Sequence, residues 1–558
     1  MINPNNIYEN LKAICAMSGI SGSASENLTA EKIYSMLSEM KYFKQHPENL
    51  FKVMVKDDPY GRYSVAGLVE LEPGSADTII LTGHYDVVGT EEYGKLRDVA
   101  FDIDAITERV AELALDEFSR KDYESGEWIF GRGTADMKYG LSLCMELIRH
   151  YSEDEDAPEL KGNLLFLAVA GEETNSEGML ASIPFLNKLT EEKGLKYTAY
   201  LLTEPFVTED QEEDPNKYIH FGSCGKVMPM FLSVGDPSHA GEAFLGFDPG
   251  LITAGIHTRL QMQPELCDVR YGEVTPPPVC LKMKDLKETY SVTTPLYSLA
   301  YYSKNTMDLD PESLIETLRG IAAEAMDEAI ALLEEKVHRY EEMYGEKPGR
   351  KQYRTEVMTY SELIGELKDN YEKLKGQGIE AEEPVSALES YSKKLVSEGM
   401  EIQEAASMTV RRAIEMLPEK RAMVVVGFIP PFYPNTHIDE AVDVDSLLVK
   451  ASEDTMNFAS EEYGISLKRK EWFAGLSDLC YTGLSSDREF GELFENLVGF
   501  GNIYHFPEKE LKALHIPGII MGAWGKDLHK HTERIHRDYN LRVLPKLYCH
   551  LIEKLMLE

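Results

Sequence analysis

Two adjacent carboxylates, Glu172 and Glu173, directly follow a short apolar segment at residues 164–170. An apolar run of this length is typical of a strand that is buried on both faces. Ligands of open α/β sheets bind just beyond the carboxyl ends of such strands, so this strand would deliver two acids to that edge. Because neighbouring side chains on an extended chain point in different directions, each acid can have its own role. Two exposed glutamates in a solvated loop are the alternative interpretation.

Three other predicted strands also run into polar side chains. These strands and the side chains that follow them are 78–82 with His84 and Asp86, 198–202 with Glu204, and 516–521 with His529. A metal-bound imidazole usually donates its second N–H to a carboxylate, and Asp86 could accept it from His84. The alternatives are a hydrogen-bonded core histidine at His84 and a surface cluster of histidines around His529.

A glycine-rich segment, GRGTADMKYG at 131–140, places Asp136 just before a helical pattern. An aspartate in this position is commonly only a helix cap. It becomes a candidate metal ligand if the fold brings it together with the residues at the strand ends.

Carboxylates and imidazoles together suit zinc, manganese or cobalt rather than a thiolate site. Two histidines and three acids can hold two metal ions, with one carboxylate bridging them, and one glutamate then stays unbound. Paired ions polarise a carbonyl and lower the pKa of a shared water. The unbound glutamate can take the proton of that water and return it to a leaving amine. The predicted chemistry is hydrolysis of an amide-type bond.

The formal net charge of −39 argues against nucleic acid and anionic membranes as partners. No stretch approaches the roughly 18 apolar residues of a membrane span, and the first residues lack the basic and apolar regions of a signal peptide. The seven cysteines form no CxxC motif, which fits a reducing compartment. We therefore expect a cytoplasmic protein.

The length of 558 residues predicts more than one domain. Composition changes near residue 215, and a long charged helical region at about 305–420 opens with Asp310 as a cap and Pro311 in the first turn. We predict an α/β catalytic domain formed by residues 1–216 and 436–558. A lid domain at 217–435 would interrupt it and contain the helical insertion.

Seven motifs occur in the order and spacing of a known metallopeptidase family. They are GHYDVV, GRGTADMKYG, AGEETNSEG, TEP, PSHAG, GLSDLCYTG and HKHTERI. The chain thereby resembles the family of glutamate carboxypeptidase, aminoacylase, acetylornithine deacetylase and succinyl-diaminopimelate desuccinylase. The resemblance runs from about residue 10 to 540, apart from the helical insertion. It implies a zinc-peptidase-like catalytic domain with a largely parallel mixed sheet between helices, and an inserted α+β lid and dimerisation domain with a long helical extension.

The resemblance also implies a set of metal ligands. His84 and Glu204 would bind one ion, Glu173 and His529 the other, and Asp136 would bridge them. We choose His529 over His531 because the histidine of the family stands four residues before a glutamate, here Glu533. The implied cofactors are two divalent ions, zinc or else cobalt or manganese.

Three catalytic roles follow from the same resemblance. Glu172 would be the general base and acid, Asp86 would orient His84, and His239 would be the lid histidine that stabilises the tetrahedral oxyanion. The implied substrate is a small peptide or an N-acyl amino acid, with a role in arginine or amino-acid catabolism. A homodimer through the lid is the implied assembly.

The chain departs from the family in the lid. Phe247-Asp248-Pro249-Gly250 stands where the family has an asparagine–alanine pair, and no arginine near 424–435 matches the one that grips a substrate carboxylate. Recognition of a free substrate carboxylate is therefore not predicted. Two alternatives stay open: a carbamoyl or amidine hydrolase on the same scaffold, and a non-catalytic protein that binds a partner through its helical arm.

Overall fold

The structure is a computed structural model that describes residues 2–206, 216–345, 351–484 and 489–557. The chain forms two compact units. The first unit comprises Met1–Ser223, Thr436–Ser486 and Pro507–Glu558, and the second comprises Cys224–Asn435 and Asp487–Phe506. Among the described residues, no helix combines the length and the apolar character needed to cross a membrane.

An eight-stranded mixed sheet forms the centre of the first unit. In spatial order its strands are Leu50–Met54, Tyr63–Glu70, Asn163–Val169, Asp77–His84, Lys196–Leu202, Gly518–Ile520, Lys217–His220 and Leu467–Lys470. The four adjacent strands from Asn163–Val169 to Gly518–Ile520 are parallel to one another. Their residues are almost entirely buried, as expected for parallel strands that are covered by helices on both faces.

The helices of this unit pack on the sheet, on one another or on a smaller ladder. They are Pro4–Cys15, Glu26–Ser38, Lys41–Gln45, Ile103–Arg109, Glu117–Ser125, Tyr139–Glu153, Glu177–Lys193, Asp443–Tyr463, Glu508–Ala513 and Leu544–Met556. The helix Tyr139–Glu153 buries nearly all of its side chains because it packs within the main hydrophobic core. Two small ladders complete the unit: Trp128–Phe130 with Arg534–His536 and Gly525–Lys526, and Gly222–Ser223 with Thr436–His437. The predicted α/β class with a mixed sheet between helices is confirmed.

The second unit is an α+β unit with its own six-stranded sheet. Its strands are Val279–Asp285, Tyr297–Thr306, Pro229–Val234, Met423–Phe428 and Val357–Thr359 in spatial order, with Gly225–Val227 paired to Tyr297–Thr306. A short ladder joins Val269–Arg270 to Glu273–Val274. The helices are Pro249–Leu260, Pro311–Tyr344, Tyr360–Gly376, Pro384–Ser397, Ile402–Glu415 and Gly491–Glu495.

The long helix Pro311–Tyr344 begins as predicted and ends at a glycine. The Asp310 side chain accepts a hydrogen bond from the Ser313 N–H, and Gly345 ends the helix with a positive φ of 70°. The helical region is not helical throughout, because Val357–Thr359 forms a strand parallel to Met423–Phe428. This short strand gave no periodic signal of its own and depends on pairing with a distant partner.

The order of the parallel strands decides which side chains can meet. Asp77–His84 lies between Asn163–Val169 and Lys196–Leu202, and Gly518–Ile520 follows on the far side of Lys196–Leu202. Four consecutive carboxyl ends therefore lie side by side at one edge of the sheet, which is where such folds bind ligands.

Candidate active site

Five side chains, three of them at these strand ends and two in other segments, form two groups that share one carboxylate. The groups are His84, Asp136 and Glu204, and Asp136, Glu173 and His529, and within each group the candidate ligand atoms all lie within 4.8 Å of one another. His84 is the last residue of its strand, and Glu204 follows the neighbouring strand by two residues. The predicted residues are thus brought together, although they lie far apart along the chain.

Asp136 lies between the two histidines. Its Oδ1 is 3.0 Å from His84 Nε2 and its Oδ2 is 3.0 Å from His529 Nε2. A carboxylate with one oxygen directed at each imidazole has the geometry of a bridging ligand. Asp136 does not act as a side-chain cap of the helix Tyr139–Glu153 that follows it.

His84 is fully buried, and hydrogen bonding orients its ring. Nδ1 lies 3.0 Å from the backbone carbonyl oxygen of Asp86, which fixes the proton on Nδ1 and directs the lone pair of Nε2 into the site. The Asp86 carboxylate is farther away, with Oδ1 at 3.5 Å from Nδ1. Asp86 therefore contacts His84 chiefly through its backbone.

His529 reaches the site from a loop. Its Nε2 lies 2.9 Å from Glu173 Oε1, while its backbone has a φ of +64°, an unusual value for a residue other than glycine. Non-glycine residues in this region tend to occur at functional sites, where the surrounding structure holds them. His531 points elsewhere, and its Nε2 lies 2.8 Å from the Ala114 carbonyl oxygen.

The carboxylates produce a strongly negative potential in a buried place. Burial raises the pKa of Glu204 to about 7. The negative charges of Asp136 and Glu173 also raise this pKa, whereas His84 lowers it. Hydrogen bonds to Asp136 and Glu173 raise the pKa of His529 to about 10. The site thus favours positive charge at its centre.

This residue set fits divalent metal ions. Among the described residues, the buried Oε2 atom of Glu204 has no hydrogen-bond partner. An unpaired carboxylate oxygen in a buried place is costly unless a cation binds it. Imidazole nitrogens and carboxylate oxygens are ligands of zinc and of similar transition metals.

Glu172 lies beside the two groups of candidate ligands found among the described residues, but neither group contains it. Its Oε2 is 3.8 Å from His84 Nε2. Burial raises the pKa of Glu172 well above its usual value. The carboxylates of Glu204 and Asp478 also raise this pKa, whereas His84 lowers it. A buried carboxyl with a raised pKa is suited to exchanging protons near neutral pH.

The predicted lid histidine lies in the second unit. His239 precedes the short 3-10 segment Ala240–Leu245, and its Nδ1 accepts a hydrogen bond from the Gly241 N–H. Its side chain is exposed. Its role in stabilising an oxyanion stays a prediction.

The sequence indicated no structural role for two residues that contact the backbone of candidate ligands, although the spacing to Glu533 served to choose His529 over His531. Arg132 donates to the His529 carbonyl oxygen, and Glu533 accepts from the Asp136 N–H. Both lie inside motifs that drew attention to other residues, GRGTADMKYG and HKHTERI. No local pattern indicates these two contacts, because the partners are far apart in the sequence.

A family model and two relatives match this sequence, and the relatives do so over nearly its whole length. A model of Peptidase family M20/M25/M40 matches residues 80–452. Protein RocB of Bacillus subtilis (strain 168) is 31% identical over 550 residues, which cover 98% of this chain and 94% of RocB. The uncharacterized protein YqjN of the same strain is 30% identical over 548 residues, with 98% and 95% covered.

A solved structure supports the fold. A tripeptidase from Staphylococcus aureus matches with a TM-score of 0.52 and 13% identity, with 100% of each chain covered. At this identity the similarity concerns the architecture alone, and the family assignment depends on the sequence matches. The chain belongs to Peptidase family M20/M25/M40 and is a metal-dependent hydrolase of the peptidase type.

Proposed function

We propose that this protein hydrolyses an amide bond in a small peptide or N-acyl amino acid at a site for two divalent metal ions. The observation that carries the proposal is the sharing of Asp136 by two groups of candidate ligands. His84 and Glu204 would hold one ion, Glu173 and His529 the other, and Asp136 would bridge them. Zinc is the proposed metal, with cobalt or manganese as alternatives, because imidazole and carboxylate suit all three.

Bound at this place, two such ions would polarise a carbonyl group and lower the pKa of a water molecule. The chain supplies the proton transfer. Glu172 lies within 4 Å of a candidate ligand, His84, and its raised pKa makes its carboxylate a stronger base than an ordinary glutamate. Glu172 would accept a proton from the attacking water and give it to the leaving amine.

The proposal extends to the lid histidine, the second unit, the location and the biological role. His239 would stabilise the oxyanion as a donor, and the second unit would act as lid and dimerisation domain. A cytoplasmic location and a role in arginine or amino-acid catabolism rest on composition and on the sequence resemblance.

A hydrolysis screen tests the proposed function. Metal-loaded protein is incubated with dipeptides, tripeptides and N-acyl amino acids, including arginine derivatives, and released amine is measured. We expect turnover of at least one class and a loss of about 10²–10⁴-fold in the Glu172→Gln variant, which keeps its metal. A Glu172→Gln variant with full turnover would contradict the role of Glu172, and silence of the wild-type protein across the screen would contradict the substrate class.

A further inference from the structure

Arg132 and Glu533 form a buried ion pair beside the candidate ligands. Arg132 Nη1 lies 2.6 Å from Glu533 Oε2, and the two residues are 1% and 0% exposed. They are 401 positions apart in the sequence. Arg132 also pairs with Glu92, so it is held from two sides.

Each member of the pair also binds the backbone of a candidate ligand. Glu533 Oε1 accepts hydrogen bonds from the N–H groups of Ala135, at 3.1 Å, and Asp136, at 3.3 Å. Arg132 Nη2 donates to the His529 carbonyl oxygen at 3.2 Å. The ion pair therefore joins the two chain segments that carry Asp136 and His529.

His529 needs such a contact because its own side chain is poorly enclosed. The side chain is 48% exposed, and the residue lies in a loop with a positive φ. Packing therefore contributes little to fixing the ring opposite Asp136. Stability alone does not explain a buried ion pair, because apolar residues of similar volume at the same place often give a fold that is equally stable or more stable.

We propose that Arg132 and Glu533 are positioning residues that hold Asp136 and His529 at the spacing needed for metal binding. This inference rests on the proposed function, because it takes Asp136 and His529 to be ligands. Outer contacts of this kind typically change metal affinity by about 10- to 100-fold when they are lost.

The two residues should affect the two ions differently. Asp136 belongs to both groups of ligands, so Glu533→Gln should weaken the binding of both ions. His529 belongs to one group only. Arg132→Lys should therefore weaken mainly the binding of the ion in the Asp136–Glu173–His529 group. Titration of metal-free protein with Co²⁺, followed by visible absorption, reports the affinity and geometry of each ion without any substrate.

Glu146→Gln is the matched control. Glu146 is also 0% exposed, pairs with Arg149 at 2.7 Å and accepts a backbone hydrogen bond from the Asn3 N–H at 3.0 Å. Its loss should lower the unfolding temperature while leaving the Co²⁺ affinities within about threefold of the wild type. We expect Glu533→Gln to lower those affinities by about 10- to 100-fold.

The variant Asp136→Asn distinguishes a failure of the positioning role from a failure of the proposed ligand set. If Asp136→Asn and Glu533→Gln both lose Co²⁺ affinity and Glu146→Gln does not, the inference is supported. If Asp136→Asn loses affinity but Glu533→Gln behaves like Glu146→Gln, the inference is wrong and the proposed ligands stand. If Asp136→Asn binds two ions as tightly as the wild type, the proposed ligand set fails, and the positioning role fails with it.

Discussion

The carboxylate of Asp86 binds the backbone of Glu172: Asp86 Oδ1 accepts a hydrogen bond from the Glu172 N–H at 3.1 Å. Asp86 Oδ2 does the same for the Glu173 N–H at 3.2 Å and also accepts from the Ser21 hydroxyl at 2.7 Å. The side chain predicted to orient His84 therefore also fixes the turn that presents both glutamates. Its backbone carbonyl serves His84, and its carboxylate serves the turn.

Replacing Asp86 by asparagine should impair the site more than its small change in shape suggests. An amide has only one acceptor oxygen, so its NH2 group would face the donating N–H of Glu172 or that of Glu173. A buried donor left without an acceptor costs about 1–3 kcal/mol. We expect kcat to fall by about 10- to 100-fold in Asp86→Asn. Ser21→Ala is the control, because it removes only the third contact of Asp86, together with the hydrogen bond of the Ser21 hydroxyl to the Val87 carbonyl oxygen. Equal kcat values for Asp86→Asn and the wild type would refute the role of this carboxylate.

Gly522 allows a close approach of two strand ends next to Glu204. A Cβ atom at this position would lie 2.1 Å from the Glu204 carbonyl oxygen and 2.3 Å from that of Thr203. Because these atoms belong to the backbone, Gly522→Ala must displace the chain that carries Glu204. We expect a lower unfolding temperature together with weaker metal binding.

Gly320 provides the comparison for this substitution. It lies inside the helix Pro311–Tyr344, and a Cβ there would meet nothing within 4 Å. Gly320→Ala should stabilise the protein by about 0.5–1 kcal/mol, since alanine favours a helix more than glycine does. Thermal unfolding and metal titration of the two variants measure the difference. Unchanged metal binding in a folded Gly522→Ala protein would show that Glu204 is not displaced.

His220 should make the first unit sensitive to mild acid. Burial lowers the pKa of this histidine to about 3, and Lys470 adds to the effect. In the unfolded chain a histidine titrates near 6.5, so between these values the unfolded state binds the extra proton. The free energy of unfolding should therefore fall as the pH decreases from about 6.5 towards 3, by up to about 1.4 kcal/mol per pH unit from this residue.

Urea unfolding at several pH values tests the assignment to His220. The His220→Gln variant loses the ring contact with Phe473 and will be less stable at neutral pH. Its free energy of unfolding should nevertheless depend less steeply on pH between 4 and 6.5 than that of the wild type. Parallel slopes for the two proteins would show that His220 does not carry this dependence.

The residues at the strand ends could be predicted because each of them follows a recognisable local pattern in the sequence. An apolar run that stops at a histidine or an acid marks a buried strand and its carboxyl end, and parallel strands bring such ends to one edge. His84, Glu173 and Glu204 were found in this way. His529 needed the resemblance as well, because several histidines lie close together in its segment.

Contacts between distant segments could not be predicted in the same way. The ion pair of Arg132 and Glu533 spans 401 positions, and no periodicity or spacing connects them. The same reason explains the strand Val357–Thr359, which lies in a region of helical composition and forms by pairing with Met423–Phe428. Long-range pairing is a property of the folded chain, and local sequence does not encode it in a readable pattern.

The positions of bound metal test the central claim most directly. Crystals grown with Zn²⁺ should show two anomalous-scattering peaks roughly 3.5–4 Å apart, as in two-metal hydrolases. Both peaks should lie within ligand distance of Asp136, one next to His84 and Glu204 and the other next to Glu173 and His529. Zinc peaks elsewhere in the molecule, with none near Asp136, would contradict the account.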